Sequence, residues 1–214
     1  MKTLLIIALS LGLLFSLATL ASAEILFGLS AETGSAAVSA DYSAPASGDV
    51  SKSAGITFVN GNFNLLGTKI RLEYGVSDLS PYKLTASKVR IGWDIGLTAL
   101  KAEVFGGYQQ FVFTDDTLPN GNQNNCWSLI GGVRLESRIN RFTVSGAAVL
   151  PLKSYYNNGV REDYNAGLND WSLGVSYSPM PLVDLFINYR AWQANSQVVN
   201  LGVQSYTVGA KISF

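Results

Sequence analysis

The segment YTVGAKISF, residues 206–214, decides the fold, because its side chains alternate in polarity up to the last residue. One face carries only apolar or aromatic residues: Tyr206, Val208, Ala210, Ile212 and Phe214. The other face is small or polar, and a period of two with one apolar face predicts a β-strand. A terminal strand stays ordered only when it is tied into a sheet. The rest of the chain therefore has to supply that sheet.

The first 23 residues have the composition of a secretory signal peptide. Lys2 gives a short positive region, residues 4–20 are apolar, and Ala21-Ser22-Ala23 is a cleavage site of small residues. An uncleaved membrane anchor is the alternative, but no basic stop-transfer cluster follows. We therefore expect cleavage after Ala23, which leaves one exported domain, 24–214, of 214 − 23 = 191 residues.

Charge and cysteine content exclude several classes of function. The 15 basic and 15 acidic residues balance, and no basic patch points to a nucleic-acid partner. Cys126 is the only cysteine, so an intramolecular disulfide cannot form. We expect it to be a small buried or lipid-facing residue rather than a reactive thiol.

Ten segments with a period of two follow the signal peptide, separated by Gly, Asn, Pro and Asp. The predicted strands lie at 25–33, 52–60, 65–77, 85–97, 100–113, 126–138, 141–153, 168–178, 182–193 and 203–214. No stretch beyond the signal peptide approaches 18 consecutive apolar residues, as a membrane helix requires.

Charged residues of these strands all fall on the face opposite the apolar series, which predicts two different environments. They are Glu32, Lys69, Arg71, Glu73, Lys88, Arg90, Asp94, Lys101, Glu103, Arg134, Glu136, Lys153, Asp170, Asp184, Arg190 and Lys211. A charge on a lipid-facing strand surface costs about 2–4 kcal/mol at the bilayer midplane. Their strict exclusion from the apolar face is what a membrane barrel requires.

A soluble β-sandwich would also separate charged from apolar residues, but other features favour a barrel. Aromatic residues stand at the strand ends of the apolar face, as in interfacial girdles: Trp127 and Trp171 at one level, Trp93 and Tyr177 at the other. Glycines concentrate on the charged face, where a crowded interior needs room. We predict an all-β fold, a closed antiparallel up-and-down transmembrane barrel of ten strands, or of eight if residues 25–43 pair differently.

Connection lengths predict the topology. Short turns are expected at 60–63, 98–99, 139–140 and 179–181, and they alternate with longer loops at 34–51, 78–84, 114–125, 154–167 and 194–202. Short turns on one side and long loops on the other are typical of bacterial outer-membrane barrels. An even strand number puts both chain ends on the periplasmic side.

These features together resemble small bacterial outer-membrane β-barrels, of the kind formed by the OmpA membrane domain, OmpX and OmpW. The resemblance covers the mature chain and includes the final Y-x-V-x-A-x-I-x-F strand. It implies an integral protein of the Gram-negative outer membrane, surrounded by membrane lipid and lipopolysaccharide. It also implies that the barrel-assembly machinery reads Tyr206, Ile212 and Phe214 during insertion.

Enzymatic chemistry is not expected, because the chain has no histidine to activate a nucleophile near neutral pH. The pairs Asp115-Asp116 and Glu162-Asp163 are interpreted as solvated loop carboxylates. No cofactor or transition-metal site is expected, and the Asn-rich segment 115–125 lacks the spacing of a calcium loop.

Three functions remain open at this point. The first is a non-enzymatic surface barrel with an interior filled by residues such as Phe105, Phe111 and Phe113 and by self-neutralising charges, Asp94 facing Lys101 among them. Its candidate contact loop carries Tyr155, Tyr156, Arg161 and Tyr164, with the surface partner unknown. The second is a narrow porin-like channel for small polar or amphipathic solutes. The third is a lipid-modifying enzyme without histidine.

Overall fold

The computed structural model describes residues 26–42, 49–65, 67–79, 82–96, 100–115, 122–157, 162–163, 167–195 and 199–214. The predicted signal peptide, 1–23, lies outside these residues. Within them, no helix is long and apolar enough to cross a membrane. Nearly all the described residues belong to strands: β1 (Leu26–Tyr42), β2 (Asp49–Leu65), β3 (Thr68–Leu79), β4 (Tyr82–Gly96), β5 (Leu100–Asp115), β6 (Asn122–Ile139), β7 (Phe142–Asn157), β8 (Glu162–Asp163), β9 (Gly167–Met180), β10 (Val183–Asn195) and β11 (Val199–Ser213).

Ten of these strands form a closed antiparallel barrel. Each pairs with its neighbours along the chain, and β1 closes the ring by pairing with β11, from Gly28 opposite Ser213 to Tyr42 opposite Val199. The two-residue β8 pairs only with the end of β7 and lies outside the ring. The predicted all-β, ten-strand, up-and-down barrel is confirmed, and the eight-strand alternative is wrong.

Most strands are longer than predicted, so several predicted connections are wrong. The expected loop 34–51 shrinks to residues 43–48, and 78–84 to residues 80–81. The expected turn at 60–63 is part of β2, which continues to Leu65, and Gly67, with a φ of 80°, precedes β3. The extra length escaped sequence analysis because the polarity of the alternation reverses along the strands.

This reversal divides the barrel into two halves. We call the half that contains the short turns the turn half. Its outside is apolar and its inside is charged. In the other, the loop half, β1 turns Ala36 and Val38 inward and Ser35 and Ser39 outward. There the inside is filled by an apolar plug: Ala36, Val38, Ile56, Phe58, Leu84, Ala86, Phe111, Phe113, Cys126, Tyr156, Leu168, Trp192, Ala194, Leu201 and Val203.

A bulge in β7 corrects the prediction for one charge. Leu129 pairs with Lys153 and Ile130 with Pro151, so Leu152 is an extra residue that reverses the inside–outside phase. Lys153 is consequently exposed on the outside, next to the outward-facing Leu129. The prediction that all sixteen strand charges share the interior is therefore wrong for Lys153, since a one-residue insertion moves every later side chain to the other face.

Two bands of aromatic residues mark the limits of the apolar outer surface. The loop-side girdle includes Trp127, which stacks on Tyr108 at 6.2 Å and packs on Tyr155 at 5.4 Å between ring centroids. It continues through Trp171, Tyr189 and Tyr206, which lie at 4.9 Å and 4.7 Å. The turn-side girdle includes Trp93, Phe142, Tyr177, Phe27 and Phe214.

The spacing of the girdles matches a bilayer. Along β11 and the residue that follows it they are 214 − 206 = 8 residues apart, from Tyr206 to Phe214. A strand tilted by about 45° crosses the hydrocarbon core in roughly 9–11 residues. Between the girdles the outward side chains are exposed and apolar, as Leu173 (55%), Val208 (55%) and Ile187 (62%) illustrate.

Closure of the ring leaves no room for a side chain at Gly209 of β11, which yields a first prediction. A Cβ there would lie 2.4 Å from the Ala31 carbonyl oxygen and 2.6 Å from the Phe186 ring. We expect Gly209→Ala to lower the free energy of unfolding by about 1–3 kcal/mol through overpacking. Denaturant unfolding of the barrel in detergent micelles, followed by tryptophan fluorescence, measures the change.

Gly61→Ala is the matched control, because the nearest atoms to a Cβ at Gly61 lie 4.0 Å away. We expect this control to unfold like the wild type. Equal losses in the two variants would contradict the proposed crowding at the β1–β11 closure.

Candidate functional site

The turn half contains a cavity of about 630 Å³ lined mainly by polar and charged side chains. Exposure of these side chains increases toward the turns: that of Arg190 is 9%, that of Asp184 29% and that of Lys211 37%. The cavity thus opens at the turn end of the barrel and ends below the apolar plug. All ten strands of the ring contribute inward-facing residues to its wall, because every second residue of a strand points inside.

The structure places the predicted interior charges around this cavity. Of the sixteen predicted strand charges, these twelve line it: Lys69, Arg71, Glu73, Lys88, Arg90, Asp94, Lys101, Arg134, Glu136, Asp184, Arg190 and Lys211. Glu32 and Glu103 are buried behind the lining, each with 3% of the residue exposed. Asp170 also lines the cavity.

A buried layer of ion pairs crosses the barrel just below the plug. Lys88 of β4 bonds Asp170 of β9 and lies 3.6 Å from Glu73. Arg190 of β10 bonds Glu32 and, at 2.6 Å, Glu73 of β3. Lys88–Asp170 and Arg190–Glu73 each join strands four places apart around the ten-strand ring, so they brace the barrel wall as well as neutralise charge.

Glu32 is the most heavily bonded carboxylate of this layer. Besides Arg190, it accepts hydrogen bonds from Asn188 Nδ2 at 2.9 Å, Asn60 Nδ2 at 3.1 Å and the Thr207 hydroxyl. A fully buried charge is tolerated only when its lone pairs are satisfied in this way. The amide and hydroxyl partners were not identified from the sequence, although each occupies an inward position of its strand.

A second layer lies nearer the turns. Arg71 holds Glu103 with two contacts, Nη2–Oε2 at 2.6 Å and Nε–Oε1 at 3.2 Å, and Lys69 Nζ lies 2.7 Å from Asp94. The expected pairing of Asp94 with Lys101 is wrong. Asp94 lies opposite Glu103 in the β4–β5 register, and Lys101 lies opposite Gly96. The two facing carboxylates are neutralised from β3 instead.

The apolar plug closes the interior above the ion pairs. Trp192 is 4% exposed and packs on Phe111 at 5.1 Å and Phe58 at 5.6 Å between ring centroids. Of the predicted filling residues, Phe111 and Phe113 belong to the plug. Phe105 is equally buried but packs in a smaller cluster with Ile130 and Val149. The sequence analysis missed Trp192 and Phe58, whose inward positions follow from strand phase.

The predicted contact loop is partly inside the barrel wall. Tyr156 is fully buried in the plug and donates a hydrogen bond to Asn124 Oδ1 at 2.5 Å. Tyr155 belongs to the loop-side girdle. The prediction that these two tyrosines lie in a surface loop is therefore wrong, because β7 continues to Asn157. Arg161 and Tyr164 lie outside the described residues.

Other predicted features fall at the barrel surface or beyond the described side chains. Tyr206, Ile212 and Phe214 face outward, 62%, 47% and 60% exposed. The side chains of the two carboxylate pairs, Asp115-Asp116 and Glu162-Asp163, are outside the described set. Among the side chains that the structure does describe, no group of three or more His, Cys, Asp or Glu is placed to hold a metal ion.

Comparison with protein-family models finds no match, and none is found among curated proteins. Solved structures do match. The outer-membrane protease OmpT from Escherichia coli superposes with a TM-score of 0.55 at 10% identity, over 90% of this chain and 98% of that one. Neisserial surface protein A gives a TM-score of 0.48 at 14% identity, over 88% and 97% of the two chains. The fold is that of a bacterial outer-membrane β-barrel.

The cross-barrel pair Lys88–Asp170 yields a second prediction. Asp170→Asn removes the carboxylate that bonds Lys88, and leaves Glu73, at 3.6 Å, as the only carboxylate among the described residues in reach of the buried ammonium. Breaking one partner of a buried pair costs about 3–5 kcal/mol. We expect the free energy of unfolding in micelles to fall by about that amount.

Asp184→Asn serves as the control, because Asp184 is 29% exposed and lies 3.9 Å from Lys211. An exposed pair of this kind is worth about 0–1 kcal/mol. The interpretation is wrong if both variants lose the same stability, or if the double variant Lys88→Met/Asp170→Leu is no more stable than Asp170→Asn.

Proposed function

We propose that this protein is a non-enzymatic integral barrel of the Gram-negative outer membrane that is closed to the passage of solutes. Its loop half, which is polar on the outside, extends beyond the membrane. The observation that carries the proposal is the apolar plug above the cross-barrel ion pairs. Trp192, Phe58 and Phe111 fill the lumen of the loop half, where a channel would need a continuous polar path. The cavity is therefore a vestibule with one opening.

The apolar outer surface supports the membrane location. The turn half exposes apolar side chains between its two aromatic girdles, an arrangement that would aggregate in water and that lipid satisfies. In the usual orientation of such barrels the short turns and both ends of the chain face the periplasm. Lipid and lipopolysaccharide then surround the loop-side girdle.

The loop half supports a role at the cell surface. Its outside is polar, with Ser35, Ser39 and Gln204 exposed, while its inside is packed like the core of a soluble barrel. A rigid extension of this kind presents the loop-side connections to contacts beyond the membrane. The surface partner is not identified by any chemistry in the described residues.

A narrow channel is the second candidate, and the cavity of about 630 Å³ is the observation in its favour. Conduction would require the plug to open. An enzyme is the least supported reading. The similarity to a protease concerns the fold, and the chain has no histidine.

Single-channel recording in a planar bilayer gives a third prediction. We expect the folded wild-type barrel to be silent, because the plug blocks the lumen. The double variant Phe111→Ala/Trp192→Ala removes two rings that pack at 5.1 Å in the plug, and we expect it to produce discrete current steps that scale with salt concentration.

The control is Trp171→Ala/Tyr189→Ala, which removes an aromatic pair packed at 4.9 Å on the outer surface. We expect it to remain silent. Discrete steps from the wild type, with folding verified by heat-modifiable gel mobility, would overturn the closed barrel in favour of the channel.

The final strand gives a fourth prediction, on assembly. We propose that the barrel-assembly machinery reads Tyr206, Ile212 and Phe214. Phe214→Ala should then reduce the amount of folded barrel in the outer membrane of cells severalfold while changing stability in micelles little. Membrane fractionation with heat-modifiable mobility measures the amount.

Phe142→Ala is the matched control for that experiment, because Phe142 is also aromatic, 52% exposed and part of the turn-side girdle. We expect near-normal assembly. An equal defect in the two variants would mean that the girdle, and not the terminal strand, is what assembly requires.

A further inference from the structure

Three arginines form a cluster on the cavity wall, and their arrangement needs an explanation. Arg71 of β3 and Arg90 of β4 are directly opposite each other in the strand register. Arg134 of β6 lies directly opposite Glu103 in the register, the carboxylate that Arg71 also binds. Like charges placed directly opposite on neighbouring strands destabilise a sheet. The cluster therefore requires negative charge to hold it together.

The carboxylates nearby do not supply enough. Glu103 is taken by Arg71, while Glu73 lies 2.6 Å from Arg190 and 3.9 Å from Arg90. Glu136 is 3.7 Å from Arg134 Nε. Among the described residues, the Nε atoms of Arg90 and Arg134 are buried and have no hydrogen-bond partner. A buried donor without a partner carries its full desolvation penalty.

The cavity as a whole also carries an excess of positive charge. Nine basic and five acidic side chains line it. Adding Glu32 and Glu103, which stand behind the lining, leaves an excess of two positive charges. A concave, partly buried surface of one sign concentrates small ions of the other.

We propose that the cluster of Arg71, Arg90 and Arg134 binds a phosphate group, which enters through the turn end of the barrel. The planar guanidinium forks match phosphate oxygens. A phosphate dianion balances the two excess charges and offers acceptors to the two unbonded Nε atoms. The cavity, at about 630 Å³, has room for a small phosphate-bearing molecule.

The test is isothermal titration calorimetry of the folded barrel with inorganic phosphate, in detergent free of phospholipid and at constant ionic strength maintained with chloride. We expect saturable one-site binding by the wild type. Arg90→Gln and Arg134→Gln should each raise the dissociation constant about tenfold or more, since each removes charged hydrogen bonds. Lys153→Gln, which removes the same charge from the outside of the wall, should leave binding unchanged.

Absence of saturable binding of both inorganic phosphate and short-chain phosphatidic acid by the wild type overturns the proposal, and so does equal weakening in the Lys153 control. If a Gln variant fails the gel-mobility test of folding, Arg90→Lys and Arg134→Lys replace it. These keep the charge but lose the fork, and unchanged affinity in them overturns the site. Binding of inorganic phosphate identifies a soluble source. Binding seen only with short-chain phosphatidic acid identifies a lipid headgroup.

Discussion

Closure of the backbone hydrogen-bond ring is the constraint on which the rest of this structure depends. In hydrocarbon no water can satisfy an unpaired N–H or C=O group, so a sheet is tolerated only when it has no edge. The pairing of β1 with β11 removes the last edge. This closure fixes the inside–outside alternation of every strand and thereby decides which side chains meet lipid and which enclose the cavity.

The two halves of the barrel use this alternation in opposite senses. Where lipid surrounds the wall, the polar residues must turn inward, and they are stable there only as a bonded network such as Lys88–Asp170 and Arg190–Glu73. Beyond the loop-side girdle water replaces lipid, and the same strands bury apolar residues such as Trp192 and Phe58 instead. One continuous sheet thus contains a membrane barrel and a water-exposed barrel.

The contact between the two interiors determines what the molecule can do. The ion pairs form the upper boundary of the cavity and the plug lies directly beyond them, so polar space ends where apolar packing begins. Charged groups in this position brace opposite walls. Because they use Glu32, Glu73 and Asp170, few carboxylates remain to pair with the arginines nearer the turns. The bracing of the barrel wall and the excess of positive charge in the cavity therefore follow from a single arrangement.

The sequence by itself determined the ten strands, the inward phase of the charges and the girdle positions of Trp93, Trp127, Trp171 and Tyr177, because a period of two records directly which face meets lipid. Only the tertiary structure decided that Lys153 lies outside, that Asp94 pairs with Lys69, and that Tyr156 is buried in the plug. A bulge, a strand register and the point at which polarity reverses depend on pairing between distant strands. The alternation of polarity within one strand does not specify how that strand pairs with distant ones.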